Sequence, residues 1–335
     1  MVSVRRAKRA LRNLLGQASP LVFAARPRHS LAVLTYHRVL PRGDAAWQSE
    51  QPGMCVTPET LALHIGLLRQ HFEILDLQEW LERARSNRPL PDRACCLTFD
   101  DGWRDNHDHA FPVLQRTATP ATIFLVAGLI GTRYQFWPNR LALLLRAVQA
   151  SPGTFAATDL ATVGVVPAAG DGYEQQLEAA VTFCKRMPDA EVIARLDAIE
   201  ARSSTSPPGA TRDLMNEAEI LAMQGSGLVR FGSHSINHTR LVDGLDEAVL
   251  SGEVRRSREL LEALLGRPVP LFCYPNGEYS SRALQVVRAS YDAAVTTRRG
   301  WNRRDADPWQ LARLPLHEDI SAERASFLAR MTGYL

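Results

Sequence analysis

The sequence predicts an α/β fold built on parallel strands, and three observations lead to this prediction. Short apolar runs rich in β-favouring residues, such as 94–99 and 121–126, have the composition of strands buried on both faces. Segments with helical periodicity separate these runs, which is the pattern of βαβ units. Polar side chains directly follow several of the strands. In barrels and open sheets of this class, the carboxyl ends of the strands form the ligand-binding face.

The predicted elements alternate on either side of a central break. Before the break we predict strands at 31–36, 94–99 and 121–126, with helices at 57–71, 77–85 and 106–116. After it we predict helices at 217–224, 247–265 and 282–290, with strands at 228–231, 270–274 and 292–297. Thr57 followed by Pro58 is a good helix start, because threonine caps and proline suits the first turn. Gly266 ends the helix at 247–265.

The predicted domain organisation has four parts. Residues 1–30 form a basic helical leader, and residues 31–131 and 213–320 together form the α/β domain. Residues 132–212 are a largely helical insertion, and 203–209, rich in Ser and Pro, is its exposed exit loop. Residues 321–335 form a C-terminal helix.

Composition restricts the partners of the chain. The net charge of its 335 residues is only +3, which argues against nucleic acid as a partner. The five cysteines contain no C-x-x-C pair and are odd in number, so we expect buried reduced thiols, as in a cytoplasmic protein. No apolar run approaches the roughly 18 residues that cross a bilayer.

The leader is the one strongly charged segment. Its seven basic residues, with no acidic residue among them, are Arg5, Arg6, Lys8, Arg9, Arg12, Arg26 and Arg28. The stretch 14–25 is broken by Gly, Gln, Ser and Pro, which disfavours a signal peptide. Two interpretations remain: a basic amphipathic helix on the inner membrane surface, or an ordinary surface helix.

Asp100, Asp101 and Gly102 follow the strand at 94–99. Neighbouring side chains on an extended backbone diverge, so one carboxylate can bind a cation while the other faces a reacting water. Gly102 permits a sharp turn at this point. The alternative is a simple turn that closes the strand.

His234 and His238 are spaced i, i+4 after the strand at 228–231. On a helix this spacing brings both rings to one side, where they can bind one metal ion. With Asp101 they make a three-ligand set with open positions, typical of a catalytic site for zinc, cobalt, nickel or iron. The alternative is a pair of partly exposed loop histidines.

Three ordered motifs resemble those of the polysaccharide deacetylase family, the carbohydrate esterases with a NodB homology domain. They are Thr98-Phe-Asp-Asp-Gly102, Gly232-Ser-His-Ser-Ile-Asn-His238 and Tyr274-Pro-Asn-Gly277. The resemblance covers roughly residues 31–131 and 213–320. It implies a distorted (β/α) barrel, hydrolysis of an N-acetyl group on a sugar, Asp100 as general base, and a divalent metal ion, with zinc favoured, on Asp101, His234 and His238.

The third motif departs from the family pattern. Many members carry an arginine before the aromatic–proline pair, where it holds the base, whereas this chain has Cys273 near that position. A subset with an early Tyr-His strand also lacks that arginine, and Tyr36-His37 resembles it. This subset is associated with surface polysaccharides, which implies an N-acetylated sugar, oligosaccharide or glycolipid substrate.

Other site residues are assigned with alternatives. His317, in Leu314-Pro-Leu-His317, is the first candidate for the general acid, and His37 is its competitor. The backbone N–H of Tyr274 is a candidate oxyanion donor. The remaining predicted pocket residues are Pro275, Asn276 and Arg313.

The sequence as a whole predicts a metal-dependent N-deacetylase. One alternative is a hydrolase of a formyl group, another acyl group or another C–N amide bond on the same fold. The other is a catalytically silent glycan-binding protein that keeps the metal site. Retention of Asp100 argues against the silent protein, because metal binding needs only the other three residues.

Overall fold

Seven parallel strands close into a barrel. The computed structural model describes residues 2–48, 50–166, 172–202 and 212–334. The strands are β1 (Ser30–Tyr36), β2 (Arg38–Val39), β3 (Cys55–Val56), β4 (Glu73–Ile74), β5 (Arg93–Phe99), β6 (Ala121–Leu125), β7 (Val229–Ser233), β8 (Leu271–Cys273), β9 (Ala293–Arg299) and β10 (Leu311–Pro315). The order around the sheet is β1-β10-β9-β8-β7-β6-β5, and pairing of β1 with β5 closes it. The predicted (β/α) barrel is therefore confirmed.

Helices follow most of the barrel strands. They are α1 (Val2–Ala24), α2 (Ala45–Gln48), α3 (Pro58–Leu68), α4 (Leu77–Arg85), α5 (Phe111–Arg116), α6 (Trp137–Ala150), α7 (Ala157–Ala161), α8 (Tyr173–Cys184), α9 (Asp189–Arg202), α10 (Glu217–Gly225), α11 (Glu247–Ser251), α12 (Ser257–Leu265), α13 (Ser281–Ser290), α14 (Glu318–Ser321) and α15 (Arg324–Met331). A π-helical turn, Gly252–Arg256, joins α11 to α12 within the predicted helix 247–265. Thr57 caps α3 as predicted, with its side chain accepting from the Thr60 N–H.

Closure of the barrel determines which strand ends are neighbours. The β1–β5 register runs from Ser30↔Arg93 to Tyr36↔Phe99. Tyr36 and Phe99 end their strands together, so the residues that follow them, His37 and Asp100, begin at the same level.

The barrel interior is an apolar layer beneath the carboxyl ends of the strands. It includes Val33, Cys96, Phe124 and Leu271, all buried. Gly232 lies beside this layer, because a Cβ there would stand 2.6 Å from the Phe124 ring. The larger core fills the space between the strands and the surrounding helices.

The chain divides into two compact units. One comprises residues 1–41, 55–132 and 214–335, and contains the barrel. The other comprises residues 42–54 and 133–213, and its core of helical residues includes Leu141, Leu177 and Leu196. The segment 42–54 therefore belongs with the second unit, whereas the sequence predicts it within the α/β domain. The predicted exit loop, 203–209, lies outside the described residues.

Most of the leader folds as one helix, α1. Its buried side carries Ser19 and Phe23, and the Phe23 ring contacts Phe72 and Trp301. Among the described residues, no helix combines the length and apolar character that a membrane span requires.

Candidate active site

The candidate site lies at the carboxyl ends of β1, β5 and β7. Asp100 and Asp101 directly follow β5, His37 follows β1, and His234 follows β7. The backbone N–H of Asp100 donates to Tyr36 O at 3.0 Å, which fixes the start of the Asp-Asp turn against β1. Sequence reasoning predicted this juxtaposition from strand ends alone.

Arg313 forms a bidentate ion pair with the carboxylate of Asp100. Its Nη1 donates to Oδ1 and its Nη2 to Oδ2, both at 2.7 Å. The Arg313 Nε donates to Thr296 O at 2.8 Å, so the guanidinium itself is fixed. Arg313 is 1% exposed. Its predicted role as a pocket-lining residue is therefore wrong, because the side chain is engaged with Asp100 inside the barrel.

This ion pair accounts for the missing arginine of the third motif. The guanidinium reaches Asp100 from β10, whereas Cys273 on β8 contributes only a thiol, whose Sγ lies 3.5 Å from Asp100 Oδ2. Burial raises the pKa of the Cys273 thiol, which therefore stays protonated and donates. The small side chain of Cys273 lies 3.3 Å from Arg313 Nη2.

Burial by itself would raise the pKa of Asp100. The facing Arg313 guanidinium, with smaller contributions from His234 and His37, outweighs burial and holds the pKa of this carboxyl below its usual value. Asp100 is thus ionised over the ordinary pH range and able to accept a proton. Arg313 occupies one lone-pair site on each oxygen and the Cys273 thiol a second site on Oδ2, so among the described contacts Oδ1 keeps a site for a reacting proton.

Asp101 turns away from Asp100 and faces the two histidines. It adopts a positive φ of 73°. Its Oδ1 lies 3.4 Å from Nε2 of His234 and 3.4 Å from Nε2 of His238. Burial opposes its charge, yet the adjacent His234 and His238 lower the pKa of Asp101. The two carboxylates therefore diverge as the sequence predicts.

The segment from His234 to His238 is a loop, the alternative that the sequence left open, and not the helix on which this spacing would align the two rings. Positive φ angles at Ser235 (65°) and His238 (62°) bend the backbone. The two rings nevertheless meet, with centroids 4.9 Å apart.

Glu253, in the π-helical turn, holds this loop. Its Oε2 accepts the backbone N–H groups of Ile236 and Asn237, each at 3.0 Å. Its Oε1 accepts from the Asn237 side chain at 2.8 Å and from Thr239 Oγ1 at 3.0 Å. Sequence reasoning missed Glu253, because a glutamate on an amphipathic helix is normally a solvated residue.

The three predicted ligands fit a divalent cation. Their ligand atoms all lie within 4.8 Å of one another. The Nδ1 of His234 donates to Cys273 O at 2.7 Å, which leaves Nε2 as the free ligand atom. Two imidazoles and one carboxylate with open positions suit zinc, iron, cobalt or nickel.

His37 lies nearer the base than His317 does. The His37 Nε2 is 3.9 Å from Asp100 Oδ2, and its side chain is 27% exposed. The His317 Nδ1 pairs instead with Asp319 Oδ2 at 3.1 Å. None of the described contacts of Asp100 or Asp101 involves His317. Of the two candidates for the general acid, His37 is the one that lies beside Asp100.

Tyr274 does not offer a free backbone donor. Its N–H donates to Val295 O at 3.2 Å, as part of the pairing between β8 and β9. The predicted oxyanion role is therefore wrong for this group. Pro275 and Asn276 form a tight turn after β8, and the exposed Asn276 has a φ of 54°. Their contact with substrate stays a prediction.

A fixed, ionised carboxylate beside residues that could hold a divalent cation is an arrangement that suits a hydrolase attacking a carbonyl group. The family model described as polysaccharide deacetylase matches residues 87–157 and 174–291, more than half of the chain. The chain therefore belongs to the polysaccharide deacetylase family.

Relatives of known structure share the fold. IcaB from Ammonifex degensii aligns with a TM-score of 0.58 at 19% identity, covering 90% of this chain and 97% of that one. The Streptococcus pyogenes deacetylase PplD, solved in complex with acetate, also aligns with a TM-score of 0.58, at 16% identity, covering 88% of this chain and 96% of that one.

A poly-beta-1,6-N-acetyl-D-glucosamine N-deacetylase of Escherichia coli strain K12 is 29% identical over 107 residues. The match covers 32% of this chain and only 15% of that protein.

Proposed function

We propose that the chain removes the N-acetyl group from a sugar of a surface polysaccharide or glycolipid. The observation that carries this proposal is that two groups of residues lie side by side. One is Asp100, ionised and fixed by Arg313 at 2.7 Å. The other is the ligand set of Asp101, His234 and His238. The first suits proton abstraction from water, and the second suits a Lewis acid for the acetyl carbonyl.

Each residue has a distinct task in this proposal. A divalent ion held by Asp101, His234 and His238, with zinc favoured, would polarise the amide carbonyl and acidify water. Asp100 accepts the proton of the attacking water at Oδ1. His37 donates a proton to the departing sugar amine, which must leave as a neutral amine. Its partial exposure gives it access to both substrate and solvent.

The names of relatives support an amino-sugar substrate. The Escherichia coli protein is named for poly-beta-1,6-N-acetyl-D-glucosamine, as is a Staphylococcus epidermidis protein that is 31% identical over 113 residues. That second match covers 39% of the relative. We therefore propose a saccharide containing N-acetylglucosamine as the substrate.

We also propose that the protein works in the cytoplasm, at the inner membrane surface, with α1 in contact with anionic lipid. The excess of arginine and lysine in the leader supports this proposal. Leu14 and Leu21 lie two turns apart on the same face of α1, and they are 63% and 76% exposed. Flotation with vesicles of anionic phospholipid, comparing the full chain with a form lacking residues 1–28, tests it. Identical flotation of the two forms would contradict it.

Acetate release tests the proposed reaction. The protein is stripped of metal, refilled with zinc or cobalt, and incubated with N-acetylated monosaccharides, sugar nucleotides and β-linked oligosaccharides. We expect release that requires metal and is greatest on oligosaccharides of N-acetylglucosamine. Absence of release from every substrate, with one equivalent of metal bound, would refute N-deacetylation. A parallel panel of N-formyl and O-acetyl sugars then distinguishes another acyl specificity from a silent glycan-binding protein.

A further inference from the structure

Trp103 contacts the oxygen of Asp101 that faces away from the histidines. Its indole Nε1 donates to Asp101 Oδ2 at 2.9 Å. The other oxygen, Oδ1, is the one that lies 3.4 Å from both imidazole Nε2 atoms. Trp103 is 3% exposed, so this hydrogen bond is sheltered from competing water. The indole therefore distinguishes two otherwise equivalent carboxylate oxygens.

The indole is itself held in place by a buried cation. The Arg38 guanidinium lies over the Trp103 ring, 4.2 Å from its centroid. Arg38 is fixed in turn by Asp105, whose Oδ2 accepts from Arg38 Nε at 2.8 Å. The other oxygen of Asp105 accepts the Val39 N–H at 2.7 Å. Arg38 and Asp105 are both buried.

We propose that Trp103 is the positioning residue of the metal centre, and this inference rests on the metal site of the proposed function. By occupying Oδ2, the Trp103 N–H leaves Oδ1 as the oxygen that Asp101 would offer to a divalent ion. A carboxylate free to rotate could present both oxygens to the ion and fill a coordination position. The indole hydrogen bond thus fixes the orientation of the Asp101 carboxylate. It would leave a coordination position of the ion open for the substrate.

The same network reaches the strand end that bears His37. Arg38 and Val39, which contact Trp103 and Asp105, are the two residues after His37. Asn106 Nδ2 donates to His37 O at 2.8 Å. The loop after β5 therefore fixes the positions of both the proposed metal ligand Asp101 and the proposed acid His37.

Metal affinity, measured without turnover, tests the proposal. In Trp103→Phe an aromatic ring remains beneath Arg38, while the N–H donor and the pyrrole part of the indole are lost. The control is Trp137→Phe, because Trp137 Nε1 also donates to a carboxylate, Asp189 Oδ1 at 3.1 Å, within the second unit. Zinc and cobalt dissociation constants are obtained by competition with a chromophoric chelator. Thermal unfolding of each metal-free form reports on folding.

We expect W103F to bind zinc about 10- to 100-fold more weakly, as for loss of other groups that orient metal ligands. W137F should bind as the wild type does. The metal-free forms should fold. If W103F does not fold, benzothienylalanine at position 103 replaces the N–H by sulfur at nearly constant shape, and the same weakening is expected.

Wild-type zinc affinity in a folded variant that lacks the N–H donor at position 103 would overturn the role of Trp103. So would an equal loss of affinity in W137F. A wild-type protein that binds no metal would overturn it as well. A wild-type protein that binds metal but releases no acetate would refute the proposed reaction alone, because the affinity comparison does not depend on turnover.

Discussion

The charge of Asp100 is tolerated inside the barrel because Arg313 neutralises it. A buried carboxylate without a partner would be strongly destabilised or protonated. The two-point contact at 2.7 Å also fixes the plane of the carboxylate. Arg313 thus keeps the Asp100 carboxylate charged and fixes its orientation, both of which the proposed role as base requires.

Replacing Arg313 by Met should impair catalysis without affecting the metal. The base loses its orientation and its stabilising charge, so kcat/KM should fall by about 100-fold or more, the cost of a small misplacement of a reacting group. Loss of one partner of a buried pair should also lower the free energy of unfolding by about 3–5 kcal/mol. Acetate release, zinc affinity and chemical denaturation measure the three effects.

Cys273→Ala is the matched control for R313M. It removes a second hydrogen-bond donor to Asp100 Oδ2, at 3.5 Å, and leaves the arginine pair intact. We expect kcat/KM within a few-fold of wild type, because a thiol is a weak donor. A loss as large as that of R313M would contradict the assignment of base positioning to Arg313.

At this scale the sequence reveals residue types and not their partners. The motifs identify Asp100, Asp101, His234 and His238, because each follows a strand or carries a recognisable spacing. Arg313 is present in the sequence but its partner is 213 positions away, and no local pattern indicates that distance.

The turn between α11 and α12 shows how one element supports another. Its Glu253 is 5% exposed and accepts four hydrogen bonds from the loop that bears His234 and His238. The loop has no regular structure of its own, so these bonds replace the backbone pairing that a helix would have supplied. The two rings therefore converge without the helix on which an i, i+4 spacing would bring them together.

Glu253→Ala should loosen the histidine loop. Two backbone N–H groups lose a charged acceptor, so we expect a loss of about 1.5–3 kcal/mol in the free energy of unfolding. Zinc affinity should fall by about 10-fold or more. The exposed Glu259, which pairs with Arg256 at 2.8 Å, provides the control E259A. Equal stability and affinity in both variants would contradict the role of Glu253.

His64 links three elements through buried contacts. From α3, its Nδ1 pairs with Tyr36 OH of β1 at 3.1 Å, and its Nε2 donates to Ser321 O of α14 at 2.7 Å. Its ring stacks on Phe327 of α15 at 4.1 Å. Burial outweighs these contacts and lowers its pKa to about 4.

Because of the lowered pKa of His64, we expect the free energy of unfolding to decrease in mild acid. The unfolded chain binds the proton near pH 6.5 and the folded chain only near pH 4, so stability is complete above pH 6.5 and declines as pH falls toward 4. The decline due to His64 should be roughly 3 kcal/mol. Denaturant unfolding from pH 7 to 4 should show a smaller decline in His64→Gln than in wild type. Parallel pH profiles for the two proteins would refute this prediction.

At the scale of the whole molecule, the strand and helix pattern of the sequence does not predict that the barrel closes. Alternation of strands and helices predicts parallel strands, but an open sheet and a closed barrel share that pattern. Closure depends on the β1–β5 pairing, which joins residues 63 positions apart without a local signal. The family resemblance supplied the barrel. The sequence predicts that the second unit is helical, but it does not indicate that residues 42–54 belong to that unit.

The second unit has its own core, so damage there should remain local. Leu196→Ala removes a fully buried side chain from that core and should destabilise the unit by about 2–5 kcal/mol. Hydrogen exchange should then accelerate in 42–54 and 133–202, with zinc affinity and exchange in β5 and β7 unchanged. Faster exchange throughout the barrel would contradict the division into two units.

The most direct test of the proposed mechanism is Asp100→Asn in the zinc-loaded protein. The amide keeps the shape of the side chain and leaves Asp101, His234 and His238 intact, but it cannot accept a proton from water. We predict one equivalent of zinc bound with wild-type affinity and acetate release lowered by about 100- to 10,000-fold, the usual contribution of a general base. Full acetate release by D100N would contradict the assignment of Asp100 as the base.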